Sequence, residues 1–296
     1  VNAFAANRAI EYLTEDGFLK TEGDDFIGIA GRIFSVLAPR LDAAYRDGSL
    51  YSSDDLSVPP SERKSHVLRL ELTTGCDYNS CTFCSEYADI QPVTKSFPEF
   101  REHVDRVVEA IGPEKIGIRR LFIGSGNSLG VDTVLLRESL SYVSTVFSPR
   151  RISLYGRTAS ILAKSAEELK QLKDAGLALI FWGLESGSNE ILDYINKDCT
   201  RADMIEASKM LSEAGIEASG MLMPGVGGLK FSEEHVTGTL DLLHNINLGY
   251  LTLLSINPAD NSPYAINMKL EPNNRPLTPD EVNTQVYRLI EGLNAT

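Results

Sequence analysis

From residue 67 onward the hydrophobic period of the chain switches repeatedly between the two-residue repeat of a strand and the 3.6-residue repeat of a helix. This alternation restricts the fold more than any other feature of the sequence. Apolar runs at 67–72, 118–123, 152–155, 178–184, 216–223 and 251–256 read as six strands. Helical patterns lie between them at 97–111, 134–147, 189–195, 201–214 and 233–246, and 278–293 closes the chain behind Pro276 and Pro279. Ser165-Ala166-Glu167-Glu168 has the form of a capping box and opens one more helix. Strands separated by helices pair in parallel through right-handed crossovers, which predicts an α/β fold. Six such units either curl into an incomplete barrel or lie flat as a doubly wound sheet, and periodicity alone does not choose. Both arrangements place ligands beyond the C-terminal ends of the strands. Cys76, Gly124-Ser125-Gly126, Glu185 and Met223-Pro224-Gly225 all fall at such ends, so they can converge on one pocket.

Residues 1–66 have a different character. Segments 3–19 and 27–45 read as two helices, the second with Ile29, Ile33, Phe34, Leu37 and Leu41 on one stripe. Glu22-Gly23-Asp24-Asp25, Ser52-Ser53-Asp54-Asp55 and Pro59-Pro60 are loop signals. The expected organisation is an N-terminal helical extension, 1–66, followed by a main domain, 67–296. With 28 basic against 41 acidic residues the net charge is −13, which repels phosphate backbones and argues against nucleic acid as a main partner. Arg63-Lys64 and Arg119-Arg120 are small candidates for a local basic patch. No apolar run approaches the roughly 18 residues of a membrane span. The first eight residues lack the basic-then-apolar order of a secretory signal, so a cytoplasmic location is expected.

Three of the four cysteines, Cys76, Cys81 and Cys84, lie within nine residues. A secreted disulfide framework would spread its pairs across the fold, so this clustering points to a shared ligand role in a reducing compartment. Three thiolates on one loop each bind one iron of a 4Fe–4S cubane and leave the fourth iron open to a small molecule. A structural zinc site wants four ligands, and the nearest histidines in sequence, His66 and His103, stand outside the loop. The donor count therefore favours the cluster.

The loop Gly75-Cys76-Asp77-Tyr78-Asn79-Ser80-Cys81-Thr82-Phe83-Cys84, directly after the first strand, resembles that of the radical S-adenosylmethionine (SAM) superfamily. The family's commonest spacing is three residues then two, whereas here it is four then two. The likeness extends over roughly residues 67–258. Gly124-Ser125-Gly126-Asn127 falls where the family has a glycine-rich turn that holds the SAM amino group. Gly183-Leu184-Glu185-Ser186-Gly187-Ser188, followed by Ile195-Asn196-Lys197, looks like the branch that contains coproporphyrinogen oxidases, elongator-type enzymes and methylthiotransferases. The resemblance implies a partial (β/α)6 TIM-type barrel that holds a 4Fe–4S cluster on Cys76, Cys81 and Cys84. It also implies SAM contacts at Phe83, Gly124, Ser125, Gly126, Asn127, Glu185, Ser186, Met223 and Pro224. Lys197 matches the basic residue that pairs with the SAM carboxylate, and Arg157 is a second candidate. The implied chemistry is oxygen-sensitive reductive cleavage of SAM to a 5′-deoxyadenosyl radical, with flavodoxin or ferredoxin as reductant.

No second cysteine set accompanies the first, and residues 1–66 leave no room for a cobalamin domain, so a small-molecule substrate is expected. Tyr155, Asn257 and Tyr264 follow strand ends and are candidates to line its pocket. Tyr155 and Cys199 are the catalytic candidates, Cys199 as a hydrogen-atom donor. His235 could serve as an acid or base, but it is expected at the surface, as are His66, His103 and His244; Trp182 belongs to an apolar strand. Two other readings remain open. One is an iron–sulfur electron carrier on the same fold. The other is an enzyme whose N-terminal extension docks a protein or RNA.

Overall fold

The strand order runs in step with the chain. In the computed structural model, β1 (Leu68–Leu70), β2 (Arg120–Ile123), β3 (Arg151–Gly156), β4 (Leu177–Glu185), β5 (Glu217–Leu222) and β6 (Tyr250–Leu253) form one sheet. Each strand pairs in parallel with its successor in sequence. A doubly wound sheet needs a point where strand order reverses, and this sheet has none. With every crossover advancing in the same direction, the helices fall on one face and the sheet curls around the other, as in a barrel. Six strands leave the curl open between β6 and β1 among the described residues, which gives a partial (β/α)6 barrel. The structure describes residues 58–63, 67–88, 90–112, 118–256, 258 and 260–295; the two helices expected within residues 1–57, His66 and Asn257 lie outside them.

The period-two alternation sorts the strand residues to the two faces. Leu121, Ile123, Ile152, Leu154, Ile180, Trp182 and Leu184 point outward into the main core, where they meet the helices. Those helices are α1 (Phe97–Ile111), α2 (Thr133–Phe147), α3 (Ala166–Asp174), α4 (Asn189–Tyr194), α5 (Arg201–Ala214) and α6 (Ser232–Asn245). The alternate residues Phe122, Leu179 and Phe181 form a smaller cluster inside the barrel, with Tyr155, Met221 and Tyr250 packed against it. Phe122, Tyr155 and Phe181 pack edge-on or tilted as a layer, with ring centroids 5.0 to 6.3 Å apart. Val58 joins this layer. The short helix Pro60–Arg63 buries Glu62 in an ion pair with Arg151, at the first residue of β3. Residues 58–63 thus close the N-terminal end of the barrel, opposite the end where ligands bind.

The helix expected at 97–111 is found at those bounds, with a capping box of Ser96 and Glu99. That at 201–214 is also found, capped by Thr200 and Asp203. Three helices among the described residues were not anticipated, Pro60–Arg63, Thr158–Leu162 and α7 (Pro263–Leu270). Each is too short to show a helical period, although Ser262 followed by Pro263 is a start signal. The last helix is α8 (Pro279–Asn294). Two histidines depart from expectation. His103 is fully buried, its Nε2 accepting the Glu71 N–H at 3.0 Å, and His235 is fully buried on α6.

Candidate active site

The cysteine loop leaves β1 and is pinched at its base by an antiparallel pair, Thr73–Thr74 with Val93–Thr94. Gly75 enters the loop at φ +72°, a conformation glycine takes without steric cost. The Cys84 N–H donates to Cys81 C=O at 3.1 Å, which folds the last two cysteines into one turn. Three hydrogen bonds fasten the loop to the segment after α4. Thr82 N–H donates to Ile195 C=O (3.0 Å), Tyr78 Oη to Asn196 C=O (2.9 Å), and Asn196 Nδ2 to Ser80 C=O (2.8 Å). The Arg157 guanidinium lies 3.8 Å from the centre of the Tyr78 ring and reaches Asp198 at 3.1 Å. The four-residue spacer between Cys76 and Cys81 therefore supplies Tyr78 as an anchor.

The three thiols are half-buried. Burial pushes the Cys81 thiol up to about 11 against the pull of Lys197, and burial likewise raises Cys84. Each of these two thiols feels a neighbouring cysteine, Cys81 feeling Cys84 and Cys84 feeling Cys76.

The glycine turn after β2 is built against this loop. Gly124 N–H donates to Leu70 C=O and Ser125 N–H to Thr73 C=O, while the Thr73 hydroxyl donates to Ser125 C=O. Gly126 has φ +60°, and a Cβ on it would stand 1.6 Å from the Gly75 carbonyl oxygen. Any side chain at 126 must displace the cysteine loop. Asn127 ties three loops together. Its Nδ2 donates to Asp77 (2.8 Å) and Ser160 (2.7 Å), and its Oδ1 accepts the Arg157 N–H (3.1 Å).

At the end of β4 the register slips between Gly183 and Glu185, and Glu185 takes φ +60°. A left-handed conformation at a residue other than glycine is strained and concentrates at functional sites. Ser186 N–H closes the turn on Leu184 C=O (2.7 Å), and Met223 N–H on the neighbouring strand end donates to Glu185 C=O (3.0 Å). The turn aims the Glu185 carboxylate at Lys197 Nζ, 2.6 Å away, with both side chains nearly buried. The pair lies over Gly183, where a Cβ would meet Glu185 Oε1 at 2.4 Å and Lys197 Nζ at 2.9 Å. Burial alone would lower the Lys197 pKa, but Glu185 and Cys81 outweigh it and hold the ammonium above its ordinary value. Ser186 turns away from this pair to His235 Nδ1, 2.9 Å away.

Phe83 packs into an apolar wall with Ile191, Ile195, Met223, Val226, Tyr264 and Met268, and its ring centre is 5.8 Å from Lys197 Nζ. Pro224 is buried beside Met223. The structure thus gathers Cys81, Phe83, Glu185, Lys197 and Met223, with Arg157 against Tyr78 and Asn127 against Asp77 of the cysteine loop. Tyr155 sits lower, in the aromatic layer of the barrel. Cys199 is half-buried against the helix-side core; burial raises its thiol, and a hydrogen bond from Thr158 opposes this. An open cleft of about 660 Å³ borders Lys197 and Cys199 on the side of Asp193, Asp198 and Asp203. Tyr264 is not presented as a substrate contact, because its hydroxyl donates to Val226 C=O. Tyr78, Asp77 and Thr73 were missed as site residues, and His235, named as a possible acid or base but expected at the surface, is buried against Ser186. Only Tyr78 and Asp77, within the cysteine spacing, carried a sequence signal.

Among the described residues no three His, Cys, Asp or Glu side chains are gathered at metal-binding spacing, so the loop sulfurs are not drawn together. The donor set nevertheless fits a cubane, with three thiols on one loop and a buried cation, Lys197, beside Cys81. No helix of the described residues is long and apolar enough to cross a membrane.

The model of the Radical SAM superfamily matches residues 70–243. The heme chaperone HemW of Bacillus subtilis is 25% identical over 171 residues, covering 56% of this chain and 44% of that protein. The 4′-phospho-dehydrooxetanocin synthase of Priestia megaterium is 27% identical over 206 residues, covering 63% and 28%. The structure of coproporphyrinogen III oxidase (HemN) from Escherichia coli, described as a radical SAM enzyme, superposes with a TM-score of 0.59 at 15% identity. That superposition covers 77% of this chain and 52% of that one. The chain thus spans between 28% and 52% of the length of these relatives.

Proposed function

This chain belongs to the radical SAM superfamily, and we propose that it holds S-adenosylmethionine over the cysteine loop and directs the resulting radical at a small-molecule substrate. Superfamily enzymes use a 4Fe–4S cluster with SAM, and that pair supplies one-electron cleavage to methionine and a 5′-deoxyadenosyl radical. The observation that carries the reading is the Glu185–Lys197 pair, buried over Gly183 and adjoining both Cys81 and Phe83.

Cys76, Cys81 and Cys84 are the cluster ligands, and the raised thiols lose their protons on loading. Lys197 offers its ammonium to the carboxylate of SAM, with Arg157 as the second cation facing the loop. Glu185 holds Lys197 charged and in place. Phe83, Met223 and Pro224 form the apolar surface on which the nucleoside rests, and the turn of Gly124, Ser125, Gly126 and Asn127 fixes the opposite edge. Tyr155 and the aromatic layer face the substrate from below, and Cys199 stands as the hydrogen-atom donor.

The synthase and the oxidase among the relatives carry small-molecule names, which supports a substrate of that class. A flavodoxin or ferredoxin is the proposed electron source. Anaerobic loading tests the reading. It predicts about four irons per chain and, after reduction with dithionite, a cluster EPR signal that shifts on adding SAM. Lys197→Met should lose most of that shift while keeping its iron. A loaded cluster whose signal ignores SAM contradicts the reading.

A further inference from the structure

We infer that Tyr264 is a positioning residue that locks the cysteine loop and the loop after β5 to each other, so that order in one is transmitted to the other. Tyr264 lies in the first turn of α7, where backbone N–H groups have no partner within the helix. Its own N–H is directed out of the helix to Thr82 C=O, 3.1 Å away, between Cys81 and Cys84. Its hydroxyl donates to Val226 C=O at 2.8 Å, in the middle of the loop 223–228. One residue therefore bonds both loops, the cysteine loop through its backbone N–H and the loop 223–228 through the hydroxyl of a side chain with only two rotatable bonds.

The surroundings leave this residue no slack. Tyr264 is 3% exposed. Its ring meets that of Tyr194 edge-on at 6.1 Å, and Tyr194 rests on Phe231 at 5.7 Å. Phe83 of the cysteine loop and Met223 and Val226 of the other loop pack in the same cluster. Upstream, Ser262 caps the helix by accepting the Ala265 N–H, and Pro263 fixes the first turn. The loop 223–228 is also held from its far side, by Gln285 on Gly225 and Asn274 on Gly227. Among the described residues, the Tyr264 hydroxyl makes the hydrogen bond that joins this loop to α7, and through α7 to the cysteine loop.

The inference rests on the reading that these loops hold the cluster and the nucleoside. Under it, loading the cluster orders residues 223–228 before any SAM arrives, and a coupling of this kind must act equally in reverse.

Tyr264→Phe removes the hydroxyl and keeps the ring and the N–H, so hydrogen exchange by mass spectrometry can isolate the link. In unloaded protein, exchange should rise about fivefold in the variant, in peptides covering 223–228 and in peptides covering 76–84 alike. In wild-type protein, cluster loading should protect 223–228; in the variant that protection should be lost. The apparent Kd for SAM should rise about fivefold to tenfold at unchanged iron content. The inference is overturned if the variant loosens 223–228 alone, or if loading protects that loop equally in both proteins. If Tyr264→Phe does not fold, the wild-type comparison decides, and loading without protection of 223–228 rejects the link. If the chain takes up no cluster, the functional reading fails, while the exchange comparison of unloaded proteins still decides the link.

Discussion

Lys197 and Glu185 show how one residue pair can be costly to break yet not decisive for the fold. Both side chains are below a tenth exposed. Removing one member strands a charge in a low-dielectric interior, whereas removing both leaves a hydrophobic gap that packs. Lys197→Met should therefore destabilise the protein by about 3 kcal/mol in urea unfolding, and the double substitution Lys197→Met with Glu185→Leu should recover most of that. Strict additivity of the two single changes would contradict this account. His235 supplies a pH dependence. Burial lowers its pKa to about 4, so the folded state keeps the ring neutral while the unfolded chain takes up a proton near 6.5. The unfolded state thus binds more protons as pH falls, and stability present above about pH 6.5 is lost toward about pH 4. Between about pH 7 and about pH 5 the loss is about 2 kcal/mol, and His235→Gln should abolish that increment in denaturant titrations. Gly126→Ala places a methyl against the Gly75 carbonyl, so it should cost about 2 kcal/mol and release iron from the loaded protein, read by thermal melting and iron content.

At the scale of elements, the site depends on helices remote in sequence. Gln285 on α8 accepts the Gly225 N–H at 2.8 Å and donates to the Ser232 hydroxyl at 2.7 Å, which ties the loop after β5 to the start of α6. Gln285→Met fills the same space without an acceptor and leaves a buried N–H unpaired. It should cost about 2 kcal/mol in urea unfolding, with the iron content of the loaded protein unchanged. Dependences of this kind explain what the sequence could show and what it could not. Helices 97–111 and 201–214 were legible to the residue because a long apolar stripe and a capping box mark them. The six strands were legible as alternating runs, but β1 is shorter than expected because Glu71 and Leu72 already turn toward the cysteine hairpin. The roles of Tyr264 and His235 were not legible. Ser232-Glu233-Glu234-His235 looks like a solvated helix start, yet Gly187 approaches Gly238 closely and bonds Thr239, and His235 meets Ser186 in the same contact. Tyr264 follows a strand end, which made it look like a substrate contact until its hydrogen bonds were seen.

For the whole molecule, the decisive property is that strand order never reverses. That single fact turns six βα units into an open barrel and brings loops separated by more than a hundred residues to one mouth. Residues 58–63 cover the other end, where Val58 packs against the aromatic layer of Phe122, Tyr155 and Phe181 and Glu62 pairs with Arg151. The central claim is that this mouth cleaves S-adenosylmethionine. The most direct measurement is anaerobic reconstitution with iron and sulfide, followed by dithionite and SAM, with chromatography for 5′-deoxyadenosine. The account predicts the nucleoside in wild-type protein and its loss when Cys76, Cys81 or Cys84 is changed to alanine. A fully loaded cluster that yields no 5′-deoxyadenosine would contradict it.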